Sequence, residues 1–352
     1  MRRRRLWVAL AVLLFCTAVA AVVYLRSRAA PEAARLLPES DAVLFVNLRL
    51  MRLAHVFGEL PPISYEPDYE QFVKETGFQF ERDLDQAAFA VHAFAAPAGG
   101  DAGLFDRARY SEVFIGKFDA QRATAYFRKL AGNIESYRDA VIYEIPHEGR
   151  TVRAAILGLD TVAVSNLPDA TAIHSMIDKY RAAAWPGRGP ALVRDHYRQV
   201  PVASVAWVLA QLPAQSSQAP TLDLPGGFAM PARWLAGSTI VASARYLGAL
   251  HLRIEALTQS EDNARQLLGA VTTFFALIKT ADLSTTQGGT DADVKAFFDS
   301  LKAEAHGNRV ALTASIPQGF IRKALTPAPI PPPAQAPTPP PEPSGKKSKS
   351  KK

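Results

Sequence analysis

Hydrophobic positions divide this chain into three regimes. From Leu6 to Leu25, 20 residues pass without a charged side chain. As a helix such a run is about 30 Å long, the thickness of a bilayer's hydrocarbon core. From the late thirties to residue 325, short apolar runs of strand length alternate with helical spacings. Beyond 326 the periodicity stops and proline takes over.

In the middle regime the pattern predicts a connector over 29–38 and a buried strand over 41–48, DAVLFVNL. A helix follows with Leu50, Leu53, Val56 and Phe57 on one side, then a short helix over 66–77 ending on Gly77. Strands are expected over 87–94 and 111–118, and Asp119 is placed to cap the next helix. Three strands over 139–145, 151–158 and 160–166 precede a helix with Pro168 in its first turn. The second half opens with 201–212 and continues with a hairpin over 238–258 that turns at Leu247-Gly248. On its second strand Leu250, Leu252, Ile254 and Ala256 are expected to face the core, and His251, Arg253 and Glu255 to face water. Ser260 should cap a helix over 261–281. TDADVKAFFDSLKAEA reads as another helix, 308–316 as a strand and QGFIRKAL as a last turn.

The halves share an order. EVFIGKF-DAQRATAYFRKL aligns with LRIEALTQSEDNARQLLGAV as strand, polar cap and helix. The expected class is therefore α+β: two related units of antiparallel sheet with packed helices, preceded by one transmembrane helix and followed by a disordered tail. The expected boundaries are 1–28 for the anchor, 29–200 and 201–325 for the units, and 326–352 for the Pro-rich, Lys-ending tail.

Charge sharpens this division. The formal net charge is +7, but residues 1–28 hold six arginines, and the tail holds five lysines against one glutamate. That leaves 29 basic against 32 acidic residues in 29–325, a formal charge of −3. A nucleic-acid-binding core would need its cations on the folded part, so no nucleic-acid partner is expected. Arg2 to Arg5 precede the apolar run and only Arg26 and Arg28 follow it, which favours a cytoplasmic amino terminus and an extracytoplasmic domain. The expected location is the inner, cytoplasmic membrane, held by residues 6–25. The alternatives are secretion after cleavage near Ala18-Val19-Ala20 and a lipoprotein box at LLFC, where Phe15 is too bulky before Cys16. Cys16 is the only cysteine, so the exported part can form no internal disulfide.

Chemistry-bearing motifs are sparse. The seven histidines show neither H-x-H nor H-E-x-x-H spacing, and no G-x-S-x-G or G-x-x-x-x-G-K occurs. Gly99, Gly100 and Gly103 lack dinucleotide-binding spacing, and Asp291 and Asp293 lack the partners of a calcium loop. His92 and His174 fall within regular elements, His251 on a wet face, and Asp195-His196-Tyr197 are mere neighbours in sequence. No catalytic, cofactor-binding or metal residue is assigned and no cofactor is expected. Two stretches invite binding. LLGAVTTFFALI, 267–278, is apolar nearly all round and reads as a buried helix or a lipid or oligomer surface. In the long loop 213–237, Phe228, Met230 and Trp234 could close over a ligand or rest on a partner, or simply pack across the sheet edge.

LPESDAVLFVNL, TGFQFERDLDQAAFAV and NRVALTASIPQGFIRKAL give the chain a layout that resembles uncharacterised bacterial envelope proteins, with one anchor and duplicated strand-helix-strand units. That resemblance implies no activity. The sequence supports an extracytoplasmic, non-enzymatic binding or scaffold module, with a carrier of an apolar ligand or a cryptic hydrolase as alternatives. Ten of the 26 prolines lie within 327–343, where an extended spacer would hold the terminal lysines out toward anionic envelope polymer or lipid. No protein partner is named by any motif.

Overall fold

The computed structural model describes residues 29–56, 67–92, 109–182, 189–214, 221–224, 228–231, 235–285 and 292–325. The apolar run at 6–25 and the tail lie outside them, as do Trp234, Asp291 and the three glycines at 99, 100 and 103. Among the described residues no helix is long and apolar enough to cross a membrane.

The chain is a mixed helix and antiparallel sheet fold built on one twelve-stranded sheet. Its first half supplies β1 (Ala42–Asn47), β2 (Leu84–His92), β3 (Arg109–Gly116), β4 (Asn133–Tyr137), β5 (Ala140–His147), β6 (Arg150–Ile156) and β7 (Thr161–Ser165). The second half adds β8 (Ala206–Gln211), β11 (Thr239–Tyr246), β12 (Leu250–Leu257), β13 (Lys302–His306) and β14 (Arg309–Ile316). The order across the sheet is β13-β14-β12-β11-β8-β1-β2-β3-β7-β6-β5-β4. A separate hairpin pairs β9 (Thr221–Leu224) with β10 (Phe228–Pro231) and carries Phe228 and Met230.

Alternation along the strands sends two apolar sets to opposite faces. Val43, Phe45, Ala88, Ala90, Val113, Ala163, Trp207 and Leu209 form the main core. Over it lie α1 (Glu32–Leu36), α6 (Thr171–Arg181) and α7 (Ala191–His196). These helices contribute Ala33, Ala34, Leu36, Ile173, Met176, Ile177, Leu192 and Val193, all buried. The alanines on β2 and β7 have no bulk beyond Cβ, so helices can settle close to the sheet.

The opposite face is covered in two patches. One patch is α3 (Pro67–Thr76), the short α4 (Phe80–Asp83) and α5 (Ala120–Leu130). The other is α8 (Glu261–Thr285), which buries Ala264, Leu267 and Val271 against Ala256 and Val310. Between the patches the sheet centre is open: Leu44 is 36% and Ile254 39% exposed. The remaining helices, α2 (Leu48–Leu53), α9 (Ala292–Ser300) and α10 (Gln318–Leu325), sit at strand ends.

Several elements depart from the hydrophobic pattern. Residues 29–38 are core, not connector: Ala33, Ala34 and Leu37 are fully buried. Five helical residues are too few for a period to show. Asn133–Tyr137 is a fourth strand beside the expected three; it is an edge strand with mostly exposed side chains, so no alternation marks it. KAEAH, expected as the end of a helix, forms β13, because Gly307 at φ 58° closes a hairpin that pairs it with β14. Pro168 lies before α6 rather than in its first turn, and Asp169 Oδ1 accepts from the Thr171 amide at 2.9 Å. Glu255 does not face water: it is 4% exposed, bonded to Arg253 Nε at 2.6 Å and Arg309 Nη1 at 3.0 Å. Its two arginines make burial tolerable where a lone carboxylate would not be.

The place of α1 in the core sets a test. Leu36→Ala should cost about 2–5 kcal/mol in urea denaturation, as for a buried leucine. A loss below about 0.5 kcal/mol would return 29–38 to the surface.

Candidate functional site

The covered patch near the start of the chain is built from aromatic rings. Helix α3 ends at Gly77, whose φ of +73° reverses the chain. Arg122 on α5 reaches over that end and donates to the carbonyls of Glu75 at 2.9 Å and Lys74 at 2.7 Å. A Cβ on Gly77 would stand 2.5 Å from the Arg122 guanidinium, so a larger residue would displace that side chain as well as strain the left-handed backbone. Asp119 caps α5 as expected, accepting from the Gln121 and Arg122 amides at 3.0 Å. These contacts fix α3 and α5 side by side, with α5 packed on β5 and β6 and facing β3 and β7 across an intervening space.

Phe78 and Phe118 stack at 4.3 Å, and Phe72 and Phe80 at 5.6 Å. The rings enclose a cavity of about 160 Å³ rather than filling the patch. Phe114, Phe127, Val162, Val164, Ala123 and Thr76 complete the lining, with Asp119 at its margin. This is a volume at which an apolar void stays dry and accepts a guest of roughly benzene size.

One carboxyl interrupts the same sheet face. Cross-strand register aligns a row from Ile134 on β4 through Tyr143, Ala154, Val164, Glu112, Phe89, Leu44, Val208, Ala242 and Ile254 to Leu312 and Ala303. Each of the twelve strands contributes one residue, and Glu112 is the only charged one. It lies between Phe89 and Val164, and Val164 lines the cavity. It has no ion pair or hydrogen bond among the described residues. Burial alone pushes its carboxyl from 4.5 up to about 7. Tyr110, two residues back on the same face, has its phenol raised by burial and then by the Glu112 charge.

A second polar cluster has the outline of a hydrolytic pair. His92 Nε2 lies 2.9 Å from Ser111 Oγ, which lies 3.1 Å from Ser165 Oγ. Burial pushes the His92 imidazole down, toward its neutral form. Yet Ser111 is 0% and Ser165 1% exposed, and neither lines the cavity. A nucleophile must reach its substrate, so the arrangement serves to satisfy buried hydroxyls between β2, β3 and β7.

The other sequence candidates do not converge. His174 Nε2 meets Glu135 Oε1 at 3.1 Å and stacks on Tyr137 at 3.8 Å. His251 Nδ1 lies 3.4 Å from Ser315 Oγ. Asp195 is exposed, His196 Nδ1 accepts from Gln199 Nε2 at 3.3 Å, and Tyr197 packs on Trp207. Asp293 opens α9. Among the described residues no group of three or more His, Cys, Asp or Glu is placed to hold a metal. The stretch 267–278 lies on α8, where Leu267 and Val271 face the sheet and Thr272 and Thr273 face outward. The apolar cavity lies instead beside α3 and α5. Its signal was present in the sequence as FQFERD and the run Phe114, Phe118, Phe127, but these rings come from separate elements that only folding brings together.

No protein-family model matches the chain, and no curated protein matches it. Among solved structures it is similar to three crystal forms of TP0453. Form I aligns at 12% identity and TM-score 0.42, over 84% of this chain and 98% of that one. Form III gives 8% and 0.43 over 84% and 97%, and form IV 11% and 0.40 over 84% and 96%. At TM-scores below 0.5, nothing about this chain's activity follows from the likeness.

The Glu112 carboxyl makes stability depend on pH. Its folded value lies above its unfolded one, so the native state holds the extra proton between 4.5 and about 7. Stability should therefore fall as pH rises through that window and level off above it, by on the order of 3 kcal/mol. Glu112→Gln should unfold at the same urea concentration as the parent at pH 4.5 and at a distinctly higher one at pH 8. Equal midpoints at both pH values would show a solvated carboxylate.

Proposed function

We propose that the protein is a non-enzymatic binding module that admits a small apolar group to the phenylalanine-lined cavity. The observation that carries this reading is the unfilled space itself, about 160 Å³ walled almost wholly by apolar side chains. Cores pack to the density of organic crystals, and an unfilled space of this size costs stability. A guest would recover that loss through dispersion contacts with the rings. Glu112, the cross-strand neighbour of the lining residue Val164, adds a group that is neutral in acid and charged in base.

In this reading the module is built of two related units. β1 opens the first and β8 the second. β3 leads into α5 through the Asp119 cap, as β12 leads into α8 through Ser260, whose Oγ accepts from the Asn263 amide at 3.1 Å. The units divide at 200/201. Residues 6–25 hold the module outside the cytoplasmic membrane, and the Lys-ending tail makes weak contact with anionic envelope polymer or lipid. The twenty uncharged residues and the arginine imbalance support that placement.

Benzene is the direct probe. The full chain in detergent should gain several degrees of melting temperature in benzene-saturated buffer. Ala123→Leu, which puts a side chain into the cavity from α5, should abolish the gain. An equal gain in both proteins, or none in the parent, rejects the cavity as a binding site. The placement has its own check: protease added to spheroplasts should degrade the domain and leave an amino-terminal membrane fragment. Full protection, or recovery of the intact chain from the cytosol, would reject it.

A further inference from the structure

A second concavity, of about 500 Å³, lies at the end of β2 and β3 and shares no lining residue with the apolar cavity. Its walls carry Arg49, Arg52, Arg82 and Lys117 with His55, against one carboxylate, Asp85. Four cations on one small surface are unexpected in a folded part whose formal charge is −3. Their positions are fixed by the backbone. A bulge between Leu84 and Gln86 pushes Asp85 out of the ladder, where it meets Arg52 Nη2 at 2.5 Å. Arg52 Nη1 also donates to the Leu84 carbonyl at 2.5 Å and to that of Glu81 at 3.3 Å. Arg82 is held by both oxygens of Asp83, at 2.7 and 2.8 Å. Local carboxylates thus occupy Arg52 and Arg82. The side chains of Arg49, Lys117 and His55 make no hydrogen bond or salt bridge among the described residues, although, behind Arg82, the Lys117 charge helps to hold the Asp83 carboxyl low. Arg49 and Lys117 are exposed, and the one carboxylate in the cleft lining, Asp85, is taken up by Arg52.

We propose that this cleft is an anion site for a phosphate group, bound by Arg49 and Lys117 and backed by the fixed guanidinium of Arg52. Two exposed cations lining one cleft with a third match a group with three or four acceptor oxygens and up to two charges. The phosphate could come from a free anion or from a lipid headgroup. The cavity and the cleft are lined by neighbouring residues of the same segments: Phe80 and Phe118 line the cavity, Arg82 and Lys117 the cleft.

Titration calorimetry on the full chain in a non-ionic detergent tests this with inorganic phosphate, glycerol 3-phosphate and dihexanoyl phosphatidic acid. Binding of all three with similar affinity supports the site and assigns it to free phosphate. Binding of the lipid at least tenfold tighter than glycerol 3-phosphate supports it and assigns it to a headgroup. Arg49→Gln with Lys117→Gln should weaken binding at least tenfold, whereas Lys117→Arg should keep it. Both positions are exposed, so an unchanged melting temperature separates lost binding from lost folding. Affinity should fall as salt rises. No heat with any of the three, or binding unaltered in the double variant, overturns the proposal; the second result would assign the anion to cations elsewhere, such as the tail lysines. The outcome is independent of the benzene experiment, because the two sites have no residue in common.

Discussion

The antiparallel pairing of β1 with β8 is the contact on which the remaining architecture depends. Val46 to Ala42 run against Ala206 to Ala210, and on the core face Phe45 stacks on Trp207 at 5.3 Å. Without this seam the seven strands before it and the five after it would be separate sheets, each with a raw edge along its most apolar strand. With it, β1 and β8 lie at the centre, and Val43, Phe45 and Leu209 are almost wholly buried. The helices then have one continuous floor to pack on.

A floor this wide is harder to cover than to build. Helices α1, α6 and α7 close one face near the seam, while the other face receives cover only toward its two sides. The imperfect cover under α3 and α5 leaves the aromatic cavity, and the gap between the patches leaves Leu44 and Ile254 in contact with solvent. Glu112 sits where cover begins. It is largely shielded from water and offered no counter-charge, which is why its proton is held to about pH 7.

What the sequence made legible follows the physics of each signal. Long amphipathic segments and strong caps were readable, as at Asp119 and Ser260, because their determinants lie within four residues of one another. Gly77 and Gly248 marked their turns for the same reason. Short or two-faced elements were not. EAARL of α1 is too short to show a period, and KAEAH of β13 has helical composition overridden by pairing with β14. Glu255 looked solvated because its ion-pair partner on β14, Arg309, lies 54 residues away. The cavity, the Glu112 row and the basic cleft share this difficulty. Each joins residues from three or more elements, and no local pattern records which strand will lie beside which.

The two borders of the sheet, β4 and β13, bear on how the protein survives at high local density. An open sheet ends in unpaired amides and carbonyls that can recruit the edge of another molecule. Both border strands have only five residues, too few for a long run of intermolecular hydrogen bonds. β13 displays Lys302, Glu304 and His306 outward, so two copies meeting there would have to strip water from charged groups. β4 exposes Ile134 but flanks it with Asn133 and Glu135, and Glu135 is held by His174. A sheet that gains its core by growing to twelve strands thus keeps its growth finite by ending in short, polar strands, and further copies are left without a template to extend it into a fibre.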